Sequence, residues 1–246
     1  MILNYRPRLS TLLCAAVCAL VLTTGSEAEE TVPRSGIFIL IDISATWLSK
    51  QEEDQNNRVL SEVNRAVIDL LSKTETPAAV YVITIEADSV LNRPLCEAVY
   101  RRTLLSSGTK AKGEFNRREE LVNYLDLCRA AVLRRPPAQW TDIHGALDMV
   151  SRIVAGGYFT HRYMFVLSDF KEERPKGDLP RISLTGFRVA SIYRILQEDS
   201  RNPRGHEDRM KKWHATLNKA GTEKVIDAVD KTKFAGSVVR KLLARE

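Results

Sequence analysis

The stretch Gly36-Ile37-Phe38-Ile39-Leu40-Ile41-Asp42-Ile43-Ser44-Ala45-Thr46 decides the fold. Its first part is a continuous apolar run rich in β-branched residues, without the alternation of a half-exposed strand. Such a run reads as a strand buried on both faces, as at the centre of a parallel sheet. Directly past its end come one carboxylate and two hydroxyls on alternate residues. In parallel sheets the edge beyond the strand ends is where ligands bind.

The segments on the C-terminal side keep switching period. Residues 52–71 carry Val59, Val63, Ala66, Val67, Leu70 and Leu71 on one helical stripe, which Thr76-Pro77 ends. A strand is expected from Val80 to Ile85, and then an irregular stretch from Asp88 to Glu114. Helical spacing returns over Arg117 to Leu133, stopped by Pro136-Pro137, and again from Ile143 to Val154, closed by Gly156-Gly157. Buried strands follow at Tyr163 to Leu167 and Val189 to Ile195, then a helix at Glu207 to Lys219, a strand at Val225 to Ala228 and a terminal helix through Val238, Val239, Leu242 and Leu243. The polar stretch Glu198 to Arg209 reads as a loop. Alternating strands and helices imply right-handed crossovers, hence an α/β fold: a doubly wound, mostly parallel sheet with helices on both faces.

On the N-terminal side, Arg6 and Arg8 precede the apolar run Leu12 to Leu22, and Ser26-Glu27-Ala28 offers small residues for cleavage. This is the pattern of a secretory signal over residues 1–28, followed by a polar leader at 29–35 and one domain at 36–246. Bulky Leu13 and Val17 before Cys14 and Cys18 argue against lipidation. Losing residues 1–28, with Arg6, Arg8 and Glu27, lowers the net charge from +6 to +5. The expected product is exported, periplasmic or extracellular, with no stable membrane span after cleavage. At 246 residues, 44% hydrophobic and 28% charged, the chain can build a sizeable core unaided. Cys96 and Cys128 then remain, open to two readings: a disulfide closing a long loop, or two buried thiols.

Three strand or helix edges supply the candidate site. Besides Asp42, Ser44 and Thr46, Ser168-Asp169 follows the strand at Tyr163 to Leu167, and Thr141-Asp142 enters the helix beginning at Ile143. Carboxylate and hydroxyl oxygens without Cys or His suit a hard cation, Mg²⁺ or otherwise Mn²⁺ or Ca²⁺. Each element alone has a plainer reading, because Asp and Ser form turns and Thr141-Asp142 is a good helix cap.

Together and in this order, Asp42-x-Ser44-x-Thr46, then Thr141-Asp142-Ile143-x-x-Ala146-Leu147, then Val166-Leu167-Ser168-Asp169, resemble the von Willebrand factor A (vWA) domain with its metal-ion-dependent adhesion site. The resemblance runs from Gly36 to the end. It departs from the family pattern only at Thr46, where Ser is usual. It implies a six-stranded sheet with one short antiparallel edge strand. It also implies that Ser44, Thr46 and Thr141 bind the cation directly, with Asp42 and Asp169 acting through water or directly. The remaining position would take an Asp or Glu from a partner protein.

Two other readings compete with this binding module: a metal-independent structural or assembly subunit on the same fold, and an enzyme. The first motif also resembles that of haloacid-dehalogenase-like phosphatases, but Ser44 stands where those need an acidic proton donor, and a late paired acidic motif is missing. No Gly-rich phosphate loop or nucleophile elbow occurs. His144, His161, His206 and His214 lack metal-ligand spacing. The basic doublets Arg101-Arg102, Arg117-Arg118, Arg134-Arg135 and Lys211-Lys212 are interspersed with acids, as on a solvated face, and suggest no nucleic acid.

Overall fold

A computed structural model describes residues 32–48, 52–74, 77–89, 91–101, 113–173, 179–230 and 233–244. The expected signal segment lies outside them. Seven strands form one sheet: β1 (Ser35–Asp42), β2 (Ala78–Ile85), β3 (Cys96–Tyr100), β4 (Glu114–Phe115), β5 (His161–Leu167), β6 (Phe187–Tyr193) and β7 (Lys224–Val229), in the order β4-β3-β2-β1-β5-β6-β7. Every pairing is parallel except β2 with β3. The expected six strands thus become seven. The antiparallel strand lies in the irregular region, but it is not at the edge, because the two-residue β4 pairs outside it. So short a strand carries no periodicity to read.

Among the described residues there are six helices: α1 (Glu53–Lys73), α2 (Arg118–Leu133), α3 (Ile143–Ala155), α4 (Gln197–Arg201), α5 (Pro203–Lys219) and α6 (Ala235–Leu243). β1 is buried along its whole length because both faces are covered. Ile37, Ile39 and Ile41 pack with the apolar stripes of α1, α2 and α6, including Val63, Leu70, Leu121 and Val239. Phe38 and Leu40 pack on the other side with α3 and α5, through Leu147, Val150, Trp213 and Leu217. Each fully buried side chain of this size contributes roughly 1.5–3 kcal/mol. Among the described residues no helix is long and apolar enough to cross a membrane.

The expected loop at Glu198 to Arg209 is instead helical. Asn202 accepts a hydrogen bond from the Gly205 N–H at 3.1 Å and Pro203 occupies the first turn of α5, where it forfeits no bond. The Asn-Pro pair that resembles a turn is a helix start. β6 also ends earlier than expected, at Tyr193, leaving Arg194 and Ile195 beyond the sheet. Cys96 of β3 and Cys128 of α2 form a disulfide with Cα atoms 6.2 Å apart, a separation that suits a bridge.

Candidate metal centre

β1 lies between β2 and β5, so the chain leaves it in opposite directions on its two sides. That makes the carboxyl end of β1 and β5 the switch point of the sheet, where a crevice opens. Asp42 closes β1 and Asp169 follows β5 by two residues.

Asp42 is fully buried. One carboxylate oxygen accepts the Ser44 N–H at 2.8 Å and the other accepts the Ser168 hydroxyl at 2.7 Å. Thr46 donates its hydroxyl to Asp169 Oδ2 at 2.8 Å and lies 3.0 Å from Ser44 Oγ. Asp169 Oδ1 accepts the Lys171 N–H at 2.8 Å. Four of the five expected residues are therefore joined within one short hydrogen-bonded chain. Ser44 is also tied across the crevice, forming a bridge with Ala138, whose N–H donates to Ile43 O at 2.9 Å.

Thr141 approaches from that same 138–142 connection. Its backbone pairs with Glu173, N–H to O at 2.7 Å and back at 3.1 Å, which ties the entry of α3 to the segment after Asp169. Thr141 is buried, and among the described residues its hydroxyl makes no hydrogen bond with the other four. Asp142 caps α3 by accepting the Gly145 N–H at 2.9 Å, as expected of a helix start.

Burial, and then the charge of Asp169, push the Asp42 carboxyl up to about 6. Burial also raises Asp169, against hydrogen bonds from Lys171 and Thr46 and the charges of Arg209 and Lys171. No Lys or Arg among the described residues pairs with the Asp42 carboxylate, which leaves negative charge in a dry site. The donor chemistry fits a dication: two carboxylates and three hydroxyls at one sheet edge. Among the described residues no three His, Cys, Asp or Glu converge.

The backbone is strained beside these residues. Phe170 has φ 57°, the only non-glycine positive φ among the described residues, at a cost of about 1–3 kcal/mol. Ser168 Oγ accepts its N–H at 2.9 Å and Trp213 Nε1 donates to its carbonyl at 2.7 Å, which hold the turn in place. Arg209 of α5 donates to Asp169 O at 3.0 Å. His144, at the start of α3, has Nδ1 at 2.7 Å from the Glu172 carboxylate, which also accepts the His144 N–H at 3.0 Å. His144 thus anchors the loop after Asp169. Sequence reading missed Ser168 as the hydroxyl donor to Asp42, and it missed Glu172 and Arg209 as contacts of the segment around Asp169. Only Ser168 carried a signal, its place beside Asp169 at the strand end.

Comparisons with known protein families and with curated proteins find no match. Among solved structures the chain is similar to the conserved hypothetical protein BatB from Bacteroides thetaiotaomicron, at 12% identity over 85% of this chain and 98% of that one, with a TM-score of 0.41. It is similar to a von Willebrand factor type A protein from Catenulispora acidiphila, at 13% identity over 86% of this chain and 42% of that one, TM-score 0.43. It is also similar to the PilB minor pilin from Streptococcus sanguinis, at 9% identity over 87% and 60%, TM-score 0.46. The chain spans less than two thirds of the last two proteins. Similarity at this level speaks to neither function nor partner.

Proposed function

We propose that this chain is an exported vWA-like binding module, not an enzyme, that recognises an acidic group on a partner protein through a divalent cation. Ser44, Thr46 and Thr141 would supply neutral oxygens, and Asp42 and Asp169 would supply the balancing charge. A bound cation, preferentially Mg²⁺ or Mn²⁺, would offer positive charge and an open coordination position to an incoming Asp or Glu. The single observation that carries the reading is the hydrogen-bonded set Asp42, Ser44, Thr46 and Asp169 at the switch point of the sheet. Burial of the two carboxylates supports it, because a dication would relieve the charge they hold.

Partner capture tests the proposal. Immobilised protein should retain partners from an envelope extract in Mg²⁺, release them in EDTA, and retain none when Thr141→Ala is used. Retention unaffected by EDTA would favour a metal-independent assembly subunit instead.

A further inference from the structure

We propose that Arg194 is the positioning residue of the candidate metal centre, its guanidinium setting the turn that presents Ser44 and Thr46. The proposal rests on reading that turn as cation-binding. Arg194 is the first residue past β6 and is 3% exposed. Its Nη1 donates to the Trp47 carbonyl at 2.8 Å and to the Glu52 carboxylate, and its Nη2 donates to Asn56 Oδ1 at 2.8 Å. Its Nε donates to Asp230 Oδ2 at 2.7 Å, and the guanidinium carbon lies 4.7 Å from the centroid of the Trp47 ring.

Trp47 is the residue after Thr46. Its N–H and that of Leu48 both donate to Ser44 O, at 3.2 and 2.8 Å, so residues 44–48 close into one turn. Arg194 holds Trp47 by carbonyl and ring at once, which fixes the rotation of that turn and thus where the Ser44 and Thr46 hydroxyls point. The other end of the guanidinium is held by Asp230, which is fully buried and also accepts Gln55 Nε2 at 2.9 Å. Satisfying these acceptors while stacking on an indole needs a planar fork of donors. A lysine ammonium offers neither the plane nor the reach to all of them. A buried charge that welds the ligand loop to the ends of β6 and β7 is the kind of outer support that metal sites use to orient their ligands.

The test compares the full chain with Arg194→Lys and with a control, Val189→Ala, a buried substitution on β6, the strand that Arg194 follows, whose loss of Tm sets the baseline. In EDTA, amide exchange at residues 44–48 should accelerate in Arg194→Lys and not in Val189→Ala. Mn²⁺ affinity by calorimetry should fall about 10- to 100-fold in Arg194→Lys, beyond any change in the control. Wild-type exchange at residues 44–48, or an affinity loss no larger than that of the control, would overturn the proposal. If the wild type binds no Mn²⁺, the cation reading fails, and the exchange measurement alone then decides whether Arg194 positions the turn. Should Arg194→Lys not fold, Asp230→Asn, which leaves residues 44–48 and Arg194 unchanged, carries the same expectation with a smaller effect.

Discussion

Asp42 carries an electrostatic penalty set first by its burial and then by the charge of Asp169. Together they push its carboxyl up to about 6 against 3.8 ordinarily, so the folded state binds the proton more tightly than the unfolded one. The ionised form therefore costs stability, fully above pH 6 and not at all below about 3.8. Asp42→Asn should stabilise the protein in EDTA at pH 7.5 by on the order of 3 kcal/mol, and the gain should shrink to nothing as the pH falls through 6 towards 4. Urea denaturation across that range measures it, and a constant gain would contradict the account. Thr46 offers a second test at this scale. Its hydroxyl bonds Asp169 and neighbours Ser44, so Thr46→Ser should keep Mn²⁺ binding and Thr46→Val should lose it.

Among the elements, β1 and β5 were legible because burial on both faces makes residues 37–41 and 163–167 continuous, largely apolar runs, and α1 and α3 because their stripes repeat at helical period. α4 and the first turns of α5 were not legible, because Glu198 to Arg209 offers almost no apolar stripe and its start signal is shared with turns. The structure assigns that start to Asn202, so Asn202→Ala should cost about 1 kcal/mol by thermal denaturation. The disulfide joins β3 to α2 across a sequence separation of 32 residues. Reducing it should lower stability by about 4 kcal/mol in the chain-entropy picture, read as a shift in the urea midpoint with and without dithiothreitol. α6 depends on a contact that no local pattern announces: Glu62 of α1 accepts the Ala235 N–H at 3.3 Å at its start.

For the molecule as a whole, strand order does what no single segment can. It brings residues 42, 46 and 169 to one crevice, with the connection through Ala138 and Thr141 bridged to both sides. The ligand candidates were legible because each directly follows a strand or opens a helix. Their supports were not, since Arg194 reads as one more strand residue and Glu172 as one more surface acid until β6 ends early and the loop after Asp169 turns back on α3. The central claim is that these parts form one cation site. Calorimetric titration of the purified protein with Mn²⁺ tests it most directly. The account predicts a single site in the wild type, lost in both Asp42→Asn and Thr141→Ala while both variants remain folded. Absence of binding in the wild type, or binding unchanged in the two variants, would contradict it.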